Sequence, residues 1–130
     1  IMSFSDYLEN KILAYTFSGT AFTPAATKYL ALYTVAPNDD GTGGTEISTS
    51  GTGYTRQTVA FTTTASQSSN TAAVEFSTAL SSWGTVVAVG VLDASTSGNL
   101  YAVGTLAVQK PISTGDVFRV PAGDLDIDLT

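Results

Sequence analysis

A single stretch of this chain, residues 3–18, carries the apolar spacing of a helix, and everything after it reads as strands separated by turns. Phe4, Leu8, Ile12 and Tyr15 recur at i, i+4, i+8 and i+11, a stripe along one helix face, with Asp6, Glu9 and Asn10 elsewhere. Ser3, Ser5 and Asp6 supply N-cap candidates, and Gly19 is free to take the left-handed conformation of a C-cap. No second helix alternates with the strands, which argues against a parallel α/β sheet. The expected fold is all-β: a jelly-roll-like antiparallel β-sandwich over 28–129 with one N-terminal α-helix, in one domain spanning 1–130.

The strands differ in how strongly they announce themselves. "KYLALYTV" (28–35) is apolar on both faces, which suits a central, covered position. "VVAVGVLD" (86–93) is the most apolar run and is expected to form a hairpin with "LYAVGTLAV" (100–108). "YTRQTVAFT" (54–62), "AAVEFS" (72–77), "DVFRV" (116–120) and "DLDIDL" (124–129) read as further strands, with Val59, Phe61, Val74 and Phe76 inward. The polar runs 36–53 and 63–71 read as loops, and Pro111 as a break. Thr (21) and Ser (14) replace the usual charges, which make up 12% of the chain, so a neutral polar surface around a β-core is expected.

Charge and residue types narrow the function. The net charge is −6, and Lys11, Lys28, Arg56, Lys110 and Arg119 are scattered, so no basic stripe exists for nucleic acid. No apolar run is long enough for a membrane helix. Met2 reads as the natural start, and no signal peptide is expected. With no Cys and no His, there is no disulfide framework, and a Ser-His-Asp or Cys-His arrangement cannot be built within the chain. A usual structural zinc site also lacks its ligands.

Carboxylates are the remaining reactive groups. Asp124, Asp126 and Asp128 alternate with Leu125, Ile127 and Leu129, the pattern of a half-buried strand with a solvated acidic face; a cation site or glycosidic acid/base pair is the competing reading. "NDDGTGG" (38–44) lacks the alternating ligands of an EF-hand, so a flexible turn is expected, with weak divalent binding at the acidic 38–40 as the competing reading. "GTGGT" and "GTGYT" lack the Lys-Ser/Thr of a phosphate loop. Trp83 could stack on a sugar, pack in the core or anchor an interface. No catalytic residue, cofactor or metal is expected. The interface candidates are Phe4, Leu8, Ile12, Tyr15 and Trp83, with the helix either lidding its own sandwich or docking on a neighbour.

The opening "MSFSDYLENKIL", followed by "TKYLALYTVAPNDDGTGGTE", "GYTRQTV", "SSWGTVVAVGVLDASTSGNLYAVGTL" and "PAGDLDIDL", resembles a group of small bacteriophage virion proteins. These are labelled capsid cement (decoration) or tail-fibre-like proteins. The resemblance runs nearly the whole chain and implies a non-enzymatic structural part of a virion, made in the bacterial host cytoplasm. The leading expectation is a cement protein on the outer surface of a tailed phage. It would bridge major capsid protein subunits as a homotrimer and stabilise the shell by binding only its assembled form. The alternatives are a tail or tail-fibre component and, from another class, a carbohydrate-binding module.

Overall fold

The computed structural model describes residues 2–128, and within them the chain is antiparallel β-structure with one helix. In chain order the elements are β1 (Ser3–Phe4), α1 (Asp6–Phe17), β2 (Lys28–Val35), β3 (Thr45–Glu46), β4 (Gln57–Val59), β5 (Phe61–Thr64), β6 (Gln67–Asn70), β7 (Val74–Glu75), β8 (Gly84–Leu92), β9 (Leu100–Ile112), β10 (Arg119–Val120) and β11 (Asp126–Asp128). The main sheet has the order β1-β9-β8-β2-β3, with β4 also paired to β2. Two small sheets, β10-β7 and β11-β6-β5, complete an open, sandwich-like all-β fold.

β2 and β8 pair from Tyr29–Leu92 to Tyr33–Ala88 and are covered on both faces, as their two-sided apolar pattern requires. On one side Leu30, Leu32, Val89 and Val91 join a core with Val74, Phe76, Phe118 and Leu125 from around the small sheets. On the other, Ala31, Tyr33, Ala88, Leu92, Leu100 and Val103 form a second cluster. Gly90 makes that second cluster possible, because a Cβ there would meet the Tyr33 ring at 2.9 Å.

An aromatic chain runs through the larger core. Tyr54 stacks on Phe76 at 6.0 Å and meets Trp83 edge-on at 5.5 Å; Phe76 meets Phe118 edge-on at 5.8 Å. Tyr54 also plugs the main sheet. β4 pairs with Lys28–Leu30 and β3 with Tyr33 and Val35, which leaves Leu32 between them. The Leu32 N–H donates to the Tyr54 hydroxyl at 3.0 Å, and that hydroxyl donates to Glu46 Oε2 at 2.6 Å. Glu46 holds Arg56 through both carboxylate oxygens at 2.9 Å, and Arg56 donates at 2.8 Å to the carbonyls of Ala94 and Ser97. The buried strand therefore keeps its backbone donor satisfied where its neighbours part.

Several expectations need correction. The helix begins at Asp6 rather than Ser3, and Phe4 lies in β1 opposite Ala102. The strand over 54–62 divides at Ala60: β4 pairs with β2, and β5 turns away to pair with β6. The polar run 63–71 is no loop but holds β6, because cross-strand hydroxyls stand in for apolar pairs: Thr62 meets Thr71 at 2.9 Å and Thr63 meets Ser68. Pro111 sits inside β9 opposite Thr85. The next carbonyl, of Ile112, accepts from the Trp83 N–H, so Pro111 faces the open outer edge, where a missing N–H costs nothing. The acidic strand is Asp126–Asp128; Asp124 lies before it, and the expected last residue, 129, is outside the described residues.

Candidate docking surface

The front end of the chain is bolted to the sandwich by several contacts, with Ser5 at their centre. Ser5, wholly buried, is the N-cap of α1; its hydroxyl accepts from the Leu8 N–H at 3.2 Å and donates to the Leu100 carbonyl. Its own N–H donates to the Tyr101 carbonyl at 2.8 Å. The Asp6 N–H, another orphan of the helix start, donates to the Asp39 carbonyl at 2.8 Å, so the Gly-rich loop folds back onto the helix. Before the helix, Met2 is buried in the core, and its N–H donates to the Asp126 carbonyl at 2.8 Å while β1 pairs with β9. Residues 2–5 thus stitch the main sheet to a small one.

One side of α1 is held by aromatics. Tyr7 stacks on Tyr101 at 6.1 Å and meets Phe22 edge-on at 6.4 Å, and Lys11 Nζ lies 5.5 Å from the Tyr7 ring centre. The Tyr101 hydroxyl accepts from the Ala25 N–H at 3.2 Å, which fixes the connector after the helix. At the helix end Gly19 takes φ +69°, the left-handed C-cap its sequence position implies.

The other side of α1 opens into a cleft of about 680 Å³. Phe4, Leu8 and Ile12 form its near wall, Val91 and Ala102 are on the sheet, and Phe61 and Ile127 line the far side. Lys28 is the one charged residue in this lining. Of the expected four-member helix stripe, Leu8 and Ile12 lie on the helix and line the cleft, while Phe4 reaches it from β1; Leu8 also packs against the main core, and none of the helix residues is fully buried. Tyr15 departs from the stripe. It belongs to the far end of the helix, which leaves its large side chains in water: Leu13 is 57%, Tyr15 60% and Phe17 80% exposed. Leu13 and Phe17, four apart on the far face, were missed by the stripe analysis. Their signal was readable, since residues 12–27 contain no charge.

The other candidates are placed elsewhere. Trp83 is a core residue, 4% exposed, and its indole N–H donates to the Thr52 carbonyl at 2.8 Å; it presents no face to a partner or a sugar. Asp126 and Asp128 accept from Ser69 Oγ at 2.6 Å and Gln67 Nε2 at 2.8 Å, across the small sheet. Asp40 accepts from both the Thr42 N–H (2.9 Å) and its hydroxyl, and these bonds hold its carboxyl below the usual range. Among the described residues, no three acidic side chains converge as metal ligands would. The Glu46–Arg56 pair is spent on Tyr54 and two carbonyls and is not part of the α1 cleft's lining. The feature that stands out is thus an uncharged apolar helix end beside an open, mostly apolar cleft, a candidate docking surface.

A family model described as "Podophage GP4 fiber I protein gp80" matches residues 3–128. No curated protein matches the chain.

Proposed function

The chain belongs to the podophage GP4 fiber I protein gp80 family and is a structural protein of the phage virion; from that premise we propose that it is a non-enzymatic component of a tail fibre. The family description carries this reading and favours the tail-fibre alternative over the capsid cement expected first. The molecule's surface supports it. A fibre part needs a rigid body and a place to join its neighbours, and the chain has a doubly covered central sheet and a helix end that leaves three large apolar side chains in water. The partners then become proteins of the tail and fibre in place of the major capsid protein. The carbohydrate-binding alternative loses its motive with the burial of Trp83.

Gold-labelled antibody raised against the purified chain tests the location on intact particles. The expected result is gold at the tail or its fibres, with particles lacking the chain retaining DNA-filled heads but adsorbing poorly to cells. Gold distributed over the head shell, with heads that burst when the chain is missing, would overturn the fibre reading.

A further inference from the structure

We infer that copies of this chain join by inserting the free end of α1 (Leu13, Tyr15 and Phe17) from one copy into the Leu8–Ile12–Phe61–Ile127 cleft of the next. The projection and the cleft flank the same helix, yet neither satisfies the other within a chain: the three side chains are exposed and none lines the cleft. A contact between copies is the arrangement that covers both surfaces with one set of residues.

Three observations point to a second copy as the occupant. The first is charge. The chain carries −6, which opposes self-association in general, but residues 12–27 are uncharged and the cleft contributes only Lys28. An incoming acidic copy meets no like charge there. The second is area. Tyr15 and Phe17 bring about 150–250 Å² each when buried. With Leu13 and the cleft surface, one contact removes roughly 600 Å² from water, so a copy reaches the lower range of a specific interface only when both its projection and its cleft are engaged. The third is rigidity. Ser5, Tyr7 and Gly19 fix the helix at both ends, so insertion orders little that is not already ordered. The contact is heterologous, since the two surfaces differ, and it closes into a finite oligomer where the rotation between copies allows. It stands whichever part of the virion the chain occupies.

The test uses the full chain and two variants. Leu13→Ser, Tyr15→Ser and Phe17→Ser made together remove the projection and keep the cleft. Ala26→Arg, at an exposed position of the cleft lining, obstructs the cleft and keeps the projection. Thr63→Trp, also exposed in that lining, replaces Ala26→Arg if the latter melts early. Light scattering and sedimentation on the natural chain, at concentrations of hundreds of micromolar, are expected to give a finite multiple of 13.4 kDa. Each variant alone is expected to stay folded and monomeric, with association weakened at least tenfold. Mixed, the two variants are expected to form a one-to-one pair, because one still has a projection and the other a cleft. A monomeric natural chain overturns the inference. A cleft variant that keeps the natural mass also overturns it, pointing to helix-on-helix pairing, as does a mixture that does not pair.

Discussion

The centre of the main sheet and the far end of α1 are built from similar residues and treated in opposite ways. Leu30, Leu32 and Val89 are enclosed, with the backbone between β3 and β4 satisfied by a tyrosine hydroxyl. Leu13, Tyr15 and Phe17 are left in water at the end of a helix whose start is fixed by a buried serine. Apolar residues alone therefore do not explain the helix end: the sandwich closes its main core without it. The sheet centre serves stability, and the helix end is available for assembly.

Substitutions sharpen that contrast. The largest effect is expected in the aromatic core, where Phe76→Ala should cost about 3–5 kcal/mol in urea unfolding by opening a cavity between Tyr54 and Phe118. The same truncation at Phe17, 80% exposed, should change stability by no more than about 0.5 kcal/mol. Equal losses at the two sites would break the distinction.

Alkaline pH probes the sheet next. Burial, then the Glu46 carboxylate, push the Tyr33 hydroxyl from 10.0 up to about 12. Tyr54 is raised as well, first by burial and then by its hydrogen bond to Glu46. A raised tyrosine favours the folded state fully below the unfolded value, and that contribution is lost as pH climbs from about 10 through about 12. For Tyr33 the loss is up to roughly 3 kcal/mol, since each unit is worth about 1.4 kcal/mol. Tyrosinate absorbance should show Tyr33 and Tyr54 ionising only as the chain unfolds. Tyr33→Phe should flatten the alkaline slope; an unchanged slope would mean the ring is not where the second cluster holds it.

The bolt separates the two regions. Ser5→Ala should cost roughly 1–2 kcal/mol through the lost cap and the stranded Leu100 carbonyl. Amide exchange should rise in 6–17 while β2 and β8 keep their protection. The smallest effect is expected at Asp40→Asn, in a turn closed on Thr42 and fully exposed; a thermal melt should hardly move.

What the sequence made legible follows from how local each signal is. β2 was readable at its observed limits because its alternate residues, Leu30 and Leu32 against Ala31 and Tyr33, are apolar on both faces. The helix end was readable at Gly19 and its start was narrowed to Ser3, Ser5 or Asp6, because caps act within one turn. β6 was not, because "QSSN" has no apolar period and is held by partners contributed by β5 and β11. Phe4 was misread because its period continues into the helix, while the buried Ser5 ends the strand before it. The Glu46–Arg56 pair and the cleft were invisible for one reason: each is assembled from segments that only the finished packing brings together. Trp83 shows the converse limit, since a lone tryptophan beside a glycine reads the same in a core or at an interface.

Hydroxyl-radical footprinting of Tyr15 and Phe17, in the isolated chain at low concentration and in intact virions, tests most directly whether the helix end is an assembly surface. Both side chains should oxidise readily in the dilute chain, as their exposure requires, and about tenfold more slowly in the particle, where a neighbour covers them. Val108, exposed on β9 away from α1, reports any general shielding in the particle. Equal oxidation of Tyr15 and Phe17 in both samples would contradict the account, leaving the end of α1 bare in the virion and its three apolar side chains without a role.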